Sequence, residues 1–122
     1  MGDSDPRSLF GYVAEQLRQR TVAFLFIRET EGEDSLLSHI KQTFGGPVIA
    51  NEEMDTSDAQ RLLESGIADA VAFGRDYIAT PDLAQRIAAG APLNEPDPDT
   101  FYPQPGQDLA VGYTDYPVLI DR

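Results

Sequence analysis

Cysteine is absent from this 122-residue chain, histidine occurs once, and basic residues are scarce. Each shortage removes a class of function. Without cysteine there is no disulfide framework, no thiolate metal site and no cysteine nucleophile. A lone imidazole, His39, rules out a histidine-rich metal centre within one chain. Nine Lys and Arg stand against 21 Asp and Glu, a formal charge of −12 that repels nucleic acid and anionic lipid and argues against both as partners. A small anionic ligand is still admissible, because a site needs only a local field. No apolar run is long enough to span a membrane, and the opening Met1-Gly2-Asp3-Ser4-Asp5-Pro6 lacks the basic and apolar regions of a signal peptide, so a soluble, cytoplasmic protein is expected.

What is present alternates. Pro6 to Arg20 has a helical period, with Leu9, Phe10, Val13 and Leu17 on one face and Asp5 before Pro6 as the cap. Val22 to Ile27 is continuously apolar, the pattern of a strand covered on both faces, and the acidic stretch Arg28 to Asp34 follows as a loop. A second helix is predicted from about Asp34 to Phe44, with Leu36, Leu37, Ile40 and Phe44 inward and Gly45-Gly46 as its stop. His39 falls beside that apolar stripe and reads as solvated. Pro47 to Asn51 is the next strand. Thr56 or Ser57 can cap a third helix that buries Ala59, Leu62 and Leu63 and stops at Gly66, with Ser57 and Gln60 at capping-box spacing. Ala68 to Phe73 is the third strand, and Thr80-Pro81 opens a helix with Leu83 and Ile87 inward that ends at Gly90.

From Ala91 the periodicity stops. Five prolines fall between Pro92 and Pro105, and the tail is ordered only by packing, as Phe101, Tyr102, Tyr113 and Tyr116 suggest. Two parts are therefore expected: residues 1–90, a layered α/β part, and residues 91–122, a tail packed on it. A strand every twenty-odd residues or so, with helices between, is the cadence of a parallel α/β fold. A complete eight-stranded barrel of this kind needs ~250 residues, and here three strands are predicted. Such open parallel strands leave edges and side chains without an opposite wall, Phe24, Phe26, Val48 and Val71 among them.

Several stretches carry a family likeness. They are Gly46-Pro47-Val48-Ile49-Ala50-Asn51, Asp69-Ala70-Val71-Ala72-Phe73-Gly74-Arg75, Tyr77-Ile78-Ala79-Thr80-Pro81-Asp82-Leu83, Pro92-Leu93-Asn94-Glu95-Pro96, Thr100-Phe101-Tyr102 and Gly112-Tyr113-Thr114-Asp115-Tyr116-Pro117. Asp3 to Pro6 and Leu9 to Tyr12 add to them. Together they make nearly the whole chain resemble the C-terminal part of the old yellow enzyme family, the FMN-dependent alkene reductases that include N-ethylmaleimide and oxophytodienoate reductases. The resemblance implies a (β/α)₈ barrel holding FMN at its C-terminal rim, with this chain running from the fifth helix to the eighth and the tail. It also implies hydride transfer from NAD(P)H through flavin to an activated C=C bond. The family's substrate-anchoring His-His or His-Asn pair, its proton-donating Tyr and its flavin-contacting Thr and Gln belong to the earlier barrel and have no counterpart here. By the resemblance no catalytic residue lies in this chain, which contributes a phosphate-binding rim and works with the remaining barrel. A non-catalytic remnant or self-associating module without flavin is the alternative.

The candidate site follows from the same motifs. The resemblance assigns Arg75 to the FMN phosphate, and a guanidinium forks two donors onto phosphate oxygens, while Gly74 lets the backbone approach closely. The other reading of Arg75 is an ion pair with Asp69, Asp76 or a nearby Glu. Phe73 belongs to the same motif, and the amides around Asn51 and Glu52 complete the phosphate grip. Many relatives carry glycines after that Asn. Here Glu52 and Glu53 replace them, bringing negative charge towards an anion and side chains into a glycine-type turn. A solvated acidic loop is the competing reading. Phe101 and Tyr102 match a pair that lines the flavin and substrate side, or else they pack the tail. Tyr113, Asp115 and Tyr116 read as structural.

Overall fold

The computed structural model describes residues 4–30 and 32–119. Asp3 and Glu31, and the end of the predicted tail, lie outside them. The chain divides into two compact units, Met1–Ala72 and Phe73–Arg122.

In the first unit, helix α1 (Pro6–Gln19) leads to strand β1 (Leu25–Arg28), helix α2 (Leu37–Phe44), strand β2 (Val48–Asn51), helix α3 (Thr56–Glu64) and strand β3 (Ala70–Val71). The strands are all parallel in the order β1-β2-β3, with Leu25 opposite Val48 and Ile49 opposite Ala70. Asp5 caps α1 as its position predicts, its carboxylate accepting from Ser8 N at 3.1 Å, with Pro6 in the first turn. Gly45 ends α2 in the left-handed conformation, which a side chain would resist. The core lies on one side of the sheet, where Leu25, Ile27, Val48, Ala50 and Val71 meet Ala14, Ile40, Phe44 and Leu62.

That one-sidedness corrects the reading of the first strand. Val22 to Ile27 is not a strand covered on both faces; β1 starts three residues later and alternates, with Phe24 52% and Phe26 55% exposed. Register explains it. Phe26 lies opposite Ile49, and Leu25 opposite Val48, so the phenylalanines project to the face away from the helices of this unit. Of the four side chains expected at risk, Phe24 and Phe26 are exposed, whereas Val48 is fully buried and Val71 half-buried on the helix side.

Other local differences have equally plain causes. α1 buries Ala14 and leaves Leu9, Phe10 and Val13 about half exposed, because it packs on α2 through a narrower stripe. His39 is half-buried rather than solvated: its imidazole lies over Gly11, where a Cβ would come within 2.7 Å of Nε2. α2 starts at Leu37, since Glu29 at the end of β1 accepts from Ser35 Oγ (2.9 Å) and Leu36 N (2.7 Å) and holds the preceding turn. α3 is capped by Asp55, with Asp58 returning the bond, so neither Thr56 nor Ser57 is the cap. Leu63 faces solvent. β3 is shorter than Ala68 to Phe73, although Asp69 N and Ala72 N still bond Val48 O and Ala50 O.

The second unit holds α4 (Arg75–Ala79), α5 (Leu83–Ala89) and a short 3₁₀ turn at Pro98–Thr100. α4 is absent from the sequence reading, and Thr80 closes it instead of opening the next helix; α5 begins after Asp82. Thr80 is fully buried and accepts from Asn94 N at 3.1 Å. At the centre of this unit sits Arg86, 5% exposed. Its guanidinium donates to Asp82 Oδ1 (2.8 Å), Pro92 O (2.9 Å), Asn94 Oδ1 (3.1 Å) and Pro117 O (2.7 Å). The proline-rich segment is thus ordered by polar bonds more than by the expected aromatic packing, for Tyr102 and Tyr113 are 85% and 71% exposed. Tyr116 Oη accepts from Asp97 N, and Asp115 from Gly112 N, in line with a structural reading of both.

Candidate functional site

Parallel strands end on the same side, so the ends of β1, β2 and β3 form one rim, where ligands bind in parallel α/β folds. Arg28 closes β1 and pairs in register with Asn51, which closes β2. The Asn51 amide donates to Ala72 O at 2.8 Å and ties the end of β2 to the segment after β3. Directly after Asn51, Glu52 has φ 102° and Glu53 φ 45°. Both are backbone conformations that favour glycine, costing an L-residue about 1–2 kcal/mol each. Glu52 turns its carboxylate onto Arg28, with Nε donating to Oε2 and Nη2 to Oε1 (3.2 Å). The pair has the two-pronged geometry of a guanidinium on an oxyanion. Its side chains are 76% and 23% exposed, and exposed pairs contribute only about 0.2–1 kcal/mol. The ion pair alone does not offset the strain; the capping box at Asp55 and the strand bonds of Asn51 help hold the turn.

A phosphate at this rim would find the amides of the turn and the Arg28 guanidinium. It would also meet the carboxylates of Glu52 and Glu53. The donor set fits an anion and the acidic side chains oppose it.

The remaining expected residues belong to the second unit. Phe73 is half-buried, Gly74 is the residue before α4, and Arg75 is its exposed first residue. Among the described residues the Arg75 guanidinium makes no ion pair or hydrogen bond. Asp69, one of its expected partners, instead accepts from Lys41 Nζ and from Val48 N (2.8 Å), bonds that hold its carboxyl below the usual range, Lys41 contributing most. Phe101 is half-buried after the 3₁₀ turn, and Tyr102 is 85% exposed. Asn51 and Glu52 therefore sit together at the rim, while Phe73 to Arg75, Phe101 and Tyr102 belong to the other unit. Arg28 was missed in sequence; its one signal is a charged residue closing an otherwise apolar strand. No cluster of metal-ligating side chains occurs among the described residues, and none of their helices is long and apolar enough to cross a membrane.

Comparison with protein-family profiles finds no match. Individual proteins do match. The chain is 40% identical to a "probable flavin mononucleotide-dependent alkene reductase" of Leishmania infantum, over 96% of this chain and 32% of that protein. It is 37% identical to 12-oxophytodienoate reductase 1 of Oryza sativa subsp. japonica, again over 96% of the chain and 32% of the relative. Among solved structures, morphinone reductase superposes with a TM-score of 0.83 at 40% identity over 97% of this chain and 32% of its own. The old yellow enzyme homologue of Zymomonas mobilis superposes with 0.84 at 36% identity, over 96% and 34%. Over nearly all of its own length the chain is similar to the old yellow enzymes. It spans about a third of the length of these relatives, as a parallel α/β piece of their (β/α)₈ barrel. A structure of morphinone reductase in complex with tetrahydroNAD also matches, at 43% identity.

Proposed function

We propose that this chain supplies the phosphate-gripping rim of an FMN-dependent alkene reductase, from the C-terminal portion of its barrel. One observation carries this reading: the turn after β2 keeps a glycine-type backbone at Glu52 and Glu53 even though glutamates stand there. The Arg28–Glu52 pair and the Asp55 capping box help hold that conformation without offsetting its strain, and a demand on the backbone amides themselves accounts for the rest. The residues proposed to hold the phosphate are Asn51 and Glu52 through their amides, and Arg75 with Gly74 and Phe73. Arg75 has the exposed, uncommitted guanidinium that a phosphate partner needs. Phe101 and Tyr102 are proposed to line the flavin and substrate side.

FMN, when bound, supplies hydride transfer from NAD(P)H to an activated C=C bond. This chain's own residues bind and orient; the hydride acceptor's anchoring groups and proton donor come from further strands. A groove on the first unit supports this reading. An apolar groove of about 280 Å³, lined by Phe10, Val13, Leu17, Leu25, Phe26 and Leu36, runs along the free edge of β1 under α1. Residues 1–90 are read as barrel and 91–122 as a tail on it, in the cytoplasm.

The test is titration with FMN and with riboflavin, which lacks the phosphate. FMN is expected to bind more tightly, and Arg75→Ala to remove that advantage while leaving riboflavin unaffected. Equal affinity for the two ligands in the folded protein would sink the phosphate role. The exposed Phe24 and Phe26 favour a second reading, a non-catalytic, self-associating module, in which neither ligand binds and the chain is oligomeric.

A further inference from the structure

Arg28 is the one basic side chain at the end of a strand of this sheet, and it is engaged by an anion from its own chain. Three facts belong together here. The Glu52 carboxylate meets the guanidinium in the two-pronged arrangement that a phosphate oxygen pair would adopt. Glu52 holds that position from a backbone conformation unfavourable to it, with Glu53 likewise. The Arg28 side chain is three-quarters exposed, so an incoming anion can reach it without opening the core.

We propose that Arg28 is a phosphate-binding residue held in reserve by Glu52, which occupies the guanidinium until a phosphate monoester displaces it. This rests on the reading of the rim as a phosphate seat and names a further residue and a regulation for it. The exchange is favoured by its own components. Two like charges at the rim repel, so an arriving phosphate drives the carboxylate outward. On release of the Glu52 carboxylate the turn keeps the backbone that presents its amides, and the dianion takes over both guanidinium donors. The lock therefore weakens binding without abolishing it, and it makes affinity depend on one acidic side chain. A phosphate monoester is favoured over a carboxylate ligand because its greater charge outcompetes the resident carboxylate on the same fork.

The experiment is a calorimetric titration of the folded chain with FMN, riboflavin and inorganic phosphate. The proteins are the wild type, Glu52→Gln, Glu52→Gly, Arg28→Ala and the Arg28→Ala/Glu52→Gln double variant. Glu52→Gln keeps the shape and removes the competing charge; Glu52→Gly suits the turn and guards against misfolding of the first variant. Both are expected to bind FMN about tenfold more tightly than wild type, the size of one charge-assisted contact regained. Riboflavin should show no gain, and the gain for FMN should vanish in the double variant. If Glu52→Gln and Glu52→Gly bind FMN no better than wild type while FMN still outbinds riboflavin, the lock is overturned and the rim reading stands. If no folded variant binds FMN or phosphate, both readings fall together.

Discussion

Thr21 shows how much a single backbone angle can matter. It follows the last turn of α1 at φ 54°, with Thr21 N bonded to Arg18 O and Val22 N to Leu17 O. These are the two bonds of a Schellman ending, a position that glycine fills best and a β-branched residue fills badly. Thr21→Gly should therefore stabilise the chain by about 1 kcal/mol, read as a higher urea midpoint at unchanged slope. Gly112 makes the opposite case. At φ 71° it lies so close to Thr100 that a Cβ would sit 2.2 Å from the Thr100 Cβ. Gly112→Ala should cost the second unit about 2 kcal/mol or more, seen as lost amide-exchange protection around residues 97–116. Neither site could be located from sequence. A threonine in a helix-to-strand link carries no mark of its angle, and the Gly112–Thr100 approach joins residues far apart in the chain.

Elements divide in the same way. Where a pattern was local it was legible: α1 with its Asp5-Pro6 start, α2 with its Gly45 stop and β2 match their predicted ranges to within a few residues. What failed depended on neighbours. β1 is apolar on both faces yet covered on one, and only the parallel register with β2 reveals which side holds Phe24 and Phe26. α4 is one turn and a half, too short to show a period. Arg86 was invisible as a core residue because its partners come from Pro92, Asn94 and Pro117. The proposed site divides likewise: Asn51, Glu52 and Arg75 stand in recognisable motifs, whereas Arg28 gains meaning only from register. Arg86→Leu removes four hydrogen bonds at once, each contributing about 0.5–1.5 kcal/mol. The second unit should then lose its cooperative melt while the far-ultraviolet signal of the first persists. Undiminished protection of the residue 92–119 backbone would refute that role.

At the scale of the whole molecule, charge sets the response to acid. Asp5, Glu15, Asp55, Asp69 and Asp82 all have carboxyl groups held below their ordinary values by the bonds they accept. Glu15, bonded by Arg18 and Gln19, is lowered to about 2. For Asp82 the Leu119 amide contributes most, and for Asp69 the Lys41 ammonium. A carboxylate whose folded value lies below its unfolded one stabilises the fold above the unfolded value, and that contribution is lost as pH falls through the folded value. Stability should be level between pH 7 and about pH 5, then fall below about pH 4, with most of the loss complete near pH 2. Asp69→Asn should lower the melting temperature at pH 7 and flatten the acid limb, as thermal melts across this range will show.

The strands of the sheet lie side by side in the order in which they are synthesised, β1, β2, β3, with one helix between each pair. Every strand pairing therefore joins neighbours in the chain, and no later segment must thread between earlier ones. Such an architecture can grow by accretion on the ribosome. In that order α2 can fold back as β2 leaves the exit tunnel, and β3 can find its template already laid down. An interruption at the end of any βα step leaves a partial sheet with open edges rather than a knot of unsatisfied contacts.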